Sequence, residues 1–427
     1  MKSIFTVIAV VAMTLTTYAQ SGLDAQRTSR IDDVINRHIA AGHIPGATAL
    51  IIRHGQVVYN KAFGYADVAS RKTMQTDNIF RIASQTKAIT SLGVMILWEE
   101  GKFQLDDPVS KFIPAFQNPR VKVSFNPKDS SYTTRPATRE ITVRDLLRHT
   151  SGIAYAAVFS DPQMQAIYAK AGVPSGIGTM ASDLKTKIPL LAQQPLMHDP
   201  GQAFTYGLNT DILGYLIEIW SGQRLDVFLQ QRVFTPLDMQ DTYFHLPADK
   251  QKKLVTLYED VNGKMQLVNH PIYEGLDPLF PNRQGTYLSG GAGLVSTTAD
   301  YGKFLTLLLQ KGKYIDKNNN TSKTLISPAT VALMLTNQLE EGVRPSPLPA
   351  QPESFRFGLG FSLETKANDH LMPYSIGTFS WAGAFNTHYW ADPKQDLVGL
   401  IFTQEYLSPY WSIGDEFKVA VYQALED

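Results

Sequence analysis

The stretch "FRIASQTKAITSLGVMILWEEGKFQLDDPVSKFIP", Phe80 to Pro114, carries the reading of the whole chain. Its centre is a helix from Ser84 to Glu100, with apolar residues at Ile89, Leu92, Met95 and Ile96 and a stop at Gly101. Ser84 and Lys87 stand three residues apart on that helix, so they share a face, with roughly 5–6 Å between their Cβ atoms. Ser84 falls in the first turn, where unpaired N–H groups and the helix dipole favour negative charge. A serine hydroxyl attacks only when a base takes its proton, and a lysine freed of its charge by burial can be that base. The pair alone is weak, because chance supplies about one or two Ser-x-x-Lys in a chain of this length. A second copy indeed occurs as "SDLK", Ser182 to Lys185. Context decides between them.

Outward from this helix, strands gather at the two ends of the chain. "ATALIIRHGQVVYNKAFG" predicts a hairpin turning at His54-Gly55, after an amphipathic helix over Arg30–Ala41. Near the other end "FRFGLGFSLE" predicts a strand, "FSWAGAFNTHYWADPKQDLVGLIFTQ" a hairpin around Asp392–Gln395, and "IGDEFKVAVYQAL" a last helix. Between them lie helical segments, among them "ITVRDLLRHTSGI" with a Thr142/Asp145 capping box, and "TDILGYLIEIWSG". Residues 115–140 form a polar, proline-bearing excursion, and 245–285 loops over a pocket. The expected fold is α/β (α+β): an antiparallel sheet flanked by helices, built from both termini, with a mostly helical insertion. The implied division is a sheet domain of residues 20–110 plus 286–427, interrupted by an insertion over 111–285.

Composition narrows the function classes. Lys plus Arg equals Asp plus Glu at 39 each, and no block of like charge appears, which speaks against a nucleic-acid or anionic-membrane partner. The chain has no cysteine, so disulfides, thiol catalysis and thiolate metal sites are excluded. Its nine histidines are scattered without metal-ligand spacing, and no metal or other cofactor is implied. Residues 1–19, "MKSIFTVIAVVAMTLTTYA", have the lysine, apolar run and small-residue end of a signal peptide cleaved after Ala19. The apolar run is shorter than the ~20 residues of a spanning helix. Export to the periplasm or the medium is expected, with no membrane span after cleavage. Gly-x-Ser-x-Gly is absent, which leaves an α/β-hydrolase triad unsupported. Asp106 and Asp107 are expected to cap the short helix after Pro108, and the "SGGAGL" glycines to form a tight turn lining the cleft.

In that company the opening stretch resembles the nucleophile helix of the serine β-lactamase / penicillin-binding-protein-like superfamily. "ITVRDLLRHTSGI", "PGQAFTYGLNTDILGYLIEIWSG" and "LSGGAGLVSTTADYGKFLTLLLQKG" are similar to later blocks of its class C-like branch, in order, over most of the chain from Arg30. The likeness is strongest to that branch's carboxylesterases, the family VIII type. The resemblance implies Ser84 as acylated nucleophile, Lys87 as its proton acceptor, and Tyr206 as the tyrosine of Tyr-x-Asn, sharing the base role. The third position of that motif is Leu208, and Asn209 stands one further on as a substitute. Trp381-Ala382-Gly383 falls where β-lactamases have Lys-Thr-Gly and the carboxylesterases Trp-Gly-Gly. The resemblance implies that Gly383 lets the backbone approach substrate and that the N–H groups of Ala384 and Ser84 form an oxyanion hole. Trp381 replaces the cation that holds a substrate carboxylate, which favours neutral esters. The expected activity is an exported serine esterase acting on a small-molecule ester or amide. The alternatives are a β-lactamase, a D-amino-acid peptidase or acyltransferase of the same superfamily, or a non-catalytic penicillin- or cell-wall-binding protein.

Overall fold

The computed structural model describes residues 22–426 except 157–159, 274, 282–284 and 345–351. The expected signal peptide therefore lies outside the described residues. The main sheet has seven strands, numbered here in chain order: β1 Gly46–Arg53, β2 Gln56–Asp67, β3 Lys72–Thr73, β4 Ser362–Leu363, β5 Phe379–Gly383, β6 Thr387–Asp392 and β7 Leu397–Phe402. Their spatial order is β4-β5-β6-β7-β1-β2-β3, every pairing antiparallel. The two ends of the chain meet at β1 and β7, where Thr48 lies opposite Phe402 and Arg53 opposite Leu397.

Strands β1, β6 and β7 are buried along their whole length, so a polar-out alternation is absent from them. The period of two persists in which layer each side chain enters. Ala47, Ala49 and Ile51, with Trp390, Leu397 and Ile401, pack beneath helices α1 (Ala25–Ala40) and α6 (Ile413–Ala424). Leu50, Ile52, Tyr389, Val398, Leu400 and Phe402 face the larger core, which holds α2 (Thr86–Glu99) and α5 (Thr298–Leu309). Helices on both faces make this a three-layer α/β/α arrangement. Among the described residues no helix is long and apolar enough to cross a membrane.

The His54-Gly55 hairpin forms as expected, with φ of 50° and 70° at its two turn residues, as a type I′ turn requires. Three local expectations are corrected. The C-terminal "hairpin" holds three strands, because Asn386, at φ 64°, turns the chain a second time between β5 and β6. The strand expected in "FRFGLGFSLE" shrinks to Ser362–Leu363. A Cβ on Gly358 would lie 2.2 Å from the Met334 carbonyl, and Gly360 has φ 101°, so this segment bends to pass other backbone closely. The 115–140 excursion is itself a hairpin, Arg120–Asn126 against Ser131–Pro136. Helix α3 (Val143–Leu147) opens with the expected capping box between Thr142 and Asp145. Neither Asp106 nor Asp107 caps the turn after Pro108: Asp106 pairs with Arg144, and Asp107 accepts from the Gln104 N–H and Lys111, so the two acids serve structure in another way.

Candidate active site

Ser84 does not sit in the first turn of α2 but on a 3-10 turn, Ala83–Gln85, that leads into it. Ala83 has φ 40°, a conformation costly for a residue with a Cβ and found where surrounding contacts impose it. Those contacts are visible on both sides. The Tyr301 hydroxyl donates to the Gln85 carbonyl at 2.8 Å. Arg81, wholly buried, donates through its backbone N–H to Gln404 Oε1, and through its guanidinium to the carbonyls of Val255, Pro278 and Phe280 at 2.6–2.9 Å. Burial pushes this guanidinium down to about 9, with Asp277 acting against the shift. The turn that presents Ser84 is therefore pinned to the segment around Phe280 and to the residues after β7.

Ser84 is partly open to solvent, whereas the groups behind it are not. Lys87, only 2% exposed, directs its ammonium to the Tyr155 oxygen at 2.7 Å, the Gly291 carbonyl at 2.9 Å and Ser84 Oγ at 3.4 Å. It also lies 4.6 Å from the Tyr206 ring centroid, within cation–π range. The Trp381 indole N–H donates to the Tyr206 oxygen at 3.2 Å, and the Tyr206 ring stands 5.4 Å from those of both Tyr155 and Trp381. The structure thus gathers Ser84, Lys87, Tyr206 and Trp381 in one place. Gly383 closes the other side: a Cβ there would lie 2.3 Å from the Ile82 carbonyl, so only glycine lets β5 run against the nucleophile turn.

Asn209 is not brought to the pair. It is the first residue of helix α4 (Asn209–Ser221), and its amide is committed elsewhere. Its N–H donates to His149 Nδ1 at 2.9 Å and its oxygen accepts from the Ser151 hydroxyl. Burial, aided by the Lys87 charge, pushes the His149 imidazole well below its ordinary range, so it is neutral. Because the amide N–H can only donate, Nδ1 must accept. Leu208, at the place of the family's asparagine, is buried.

Two residues absent from the sequence reading belong to this site. Tyr155 supplies the oxygen nearest Lys87; its phenol is pushed well above its ordinary range by burial, then by Tyr206 and Asp211. It lies just beyond the quoted "RHTSGI" block, which was its one signal. Asp211 accepts from Tyr287 OH at 2.9 Å, Ser289 Oγ at 2.7 Å and the Gly291 N–H at 2.9 Å. It thereby ties the glycine turn to α4 and fixes the carbonyl that Lys87 binds. Burial raises its carboxyl above the ordinary range despite those donors. Asp211→Ala should leave the Tyr287 hydroxyl and the Gly291 N–H unmatched, while Ser289 keeps the Gly176 carbonyl, and cost about 2 kcal/mol or more of stability, read as a lower urea midpoint. An unchanged midpoint would refute this anchoring role. "SDLK" has no such surroundings: Ser182 precedes the helix Leu184–Ala192 and Lys185 is exposed.

The neutral His149 is already engaged with Asn209, so the hydroxyl of Ser84 is left to a lysine and two phenols. That chemistry, on an antiparallel sheet layered between helices, defines serine hydrolases of the β-lactamase and penicillin-binding-protein type. The chain belongs to the beta-lactamase family, whose profile matches residues 31–418. It is 34% identical over 369 residues to Protein Rv1367c of Mycobacterium tuberculosis, spanning 85% of this chain and 86% of that protein. Esterase EstB of Burkholderia gladioli is 27% identical over 392 residues, 89% of this chain and 91% of its own. Among solved structures, EstCE1, a hydrolase with promiscuous acyltransferase activity, superposes with a TM-score of 0.78 at 27% identity, covering 93% of this chain and 98% of that one. Simvastatin synthase LovD from Aspergillus terreus shares the fold, with a TM-score of 0.76 at 24% identity over 94% of this chain and all of that one.

Proposed function

We propose that this chain is an exported carboxylesterase that cleaves neutral esters through an acyl-enzyme on Ser84. The observation that carries the reading is Trp381, which stands on β5 beside the nucleophile turn and gives its N–H to Tyr206. A cation at that position would hold a substrate carboxylate by a charge-assisted bond, whereas an indole offers an apolar wall. In the first step Ser84 Oγ attacks the ester carbonyl and its proton passes to the Lys87/Tyr206 pair, which titrates as a unit. The contact from Trp381 holds the Tyr206 oxygen in place for this transfer. The N–H groups of Ser84 and Ala384 receive the oxyanion, and the alcohol leaves with the proton. Water, deprotonated by the same pair, then releases the acid. EstCE1's acyltransferase activity supports a side reaction in which an alcohol takes the place of that water.

The test offers p-nitrophenyl butyrate, nitrocefin and a D-Ala-D-Ala peptide side by side. Fast turnover of the first alone supports the esterase, preference for either of the others overturns it, and stable acylation without turnover indicates a binding protein. Export is tested by comparing culture fractions for chains with and without residues 1–19. The oxyanion role has its own check in Gly383→Ala. Its added Cβ meets backbone at 2.3 Å and must push β5 away from the nucleophile turn. Loss of one oxyanion donor costs about 10²–10³-fold in kcat. A rate within threefold of the parent would remove Ala384 from the mechanism.

A further inference from the structure

One tyrosine beside this site has no structural use for its hydroxyl. Tyr273 is 3% exposed, and among the described residues its hydroxyl has no hydrogen-bond partner. A buried phenol left this way is destabilising, and a phenylalanine would fill the same space without that penalty. The backbone is also unusual, with φ 41° at a residue carrying a large side chain. Its place is well defined. The ring packs 5.0 Å from Tyr406 and 5.9 Å from Phe385. The apolar cluster it belongs to includes Ala83, which precedes the nucleophile, and Ala292, with Ala384 packed against it. The segment is held in register with the nucleophile, because Arg81 grips the carbonyls of Pro278 and Phe280, and Ile272 and Leu276 exchange backbone bonds at 2.8–2.9 Å.

We propose that the Tyr273 hydroxyl is a specificity group that binds an oxygen function on the ester, so that the preferred substrate carries a hydroxyl or carbonyl besides the scissile ester. This rests on the esterase reading and narrows it. The rest of the cluster is aliphatic and aromatic, so a single hydrogen bond in a dry wall sets the discrimination. A site built around such a bond penalises the analogue that lacks the partner.

Two ester pairs separate the two places the oxygen could be. The acyl arm compares p-nitrophenyl 3-hydroxybutyrate with p-nitrophenyl butyrate, and the alcohol arm compares 2-hydroxyethyl butyrate with ethyl butyrate. The parent enzyme should favour the oxygenated member of one pair by roughly tenfold in kcat/KM, and Tyr273→Phe should flatten that ratio to within about twofold. Equal ratios in parent and Tyr273→Phe across both pairs overturn the proposal. The same esters titrated calorimetrically into Ser84→Ala and Ser84→Ala/Tyr273→Phe give the ratio without turnover. If no ester is hydrolysed the esterase reading fails, and the calorimetric ratio still decides the role of Tyr273. A purely structural Tyr273 would change the melting temperature of Tyr273→Phe and leave every ratio alone.

Discussion

Ser84→Ala is expected to abolish ester turnover, with kcat down at least ~10⁴-fold. The loss should be confined to chemistry. Ser84 is partly open to solvent, and Lys87 keeps Tyr155 and the Gly291 carbonyl as partners when the hydroxyl is gone. Unfolding in urea should therefore move by less than about 0.5 kcal/mol, the range of substitutions that break no buried network. Mass spectrometry of the enzyme stopped in mid-turnover should find the acyl group on the peptide containing Ser84. A variant that keeps near-parental rates, or an acyl group on another residue, removes Ser84 as nucleophile.

Lys87→Met should be almost as damaging, with kcat lower by about 10³-fold. Methionine keeps the length and apolar stem, so the packing of this first turn of α2 survives. What disappears is a donor to three oxygens at once, including the only side-chain amine bonded to Ser84 Oγ among the described residues. Tyr155→Phe offers the contrast: it leaves Lys87 bound to Gly291 and to Ser84, and should cost about tenfold. Removing a buried cation can even stabilise a protein when its surroundings tolerate it. A large fall in kcat without a fall in urea midpoint would thus mark Lys87 as chemical. Equal losses in the two variants would instead mark Lys87 and Tyr155 as parts of one structural support.

Sequence legibility followed the range of each interaction. Ser84 and Lys87 could be read because a spacing of three along consecutive helical turns brings side chains together whatever the rest of the chain does. The β1–β2 hairpin could be read because His54-Gly55 is chemically suited to a left-handed turn. Tyr206 and Trp381 needed the resemblance, since their meeting spans 175 positions and leaves no local pattern. Tyr155 was missed for the same reason, its bond to Lys87 spanning 68 positions. The Asn209 assignment failed on direction. The residue is where the motif suggests, but His149 and Ser151 satisfy its amide, and no spacing rule says which way an amide turns. Tyr273 leaves no local trace either, as a missing partner shows only once the neighbours are in place.

Strand β7, the last of the main sheet, is wedged between β6 and β1. A nascent chain therefore carries the β1–β2 hairpin with one bare edge until residue 402 has emerged. Such an edge is a template for association with other chains. Closing it is a contact between distant parts of the sequence, which slows folding. The same delay applies to reactivity. Ser84 and Lys87 are synthesised early, yet Trp381 and Gly383 arrive with the final strands. A chain interrupted before β5 would hold a serine and a lysine without Trp381 and Gly383 beside them, and it would be sticky rather than active.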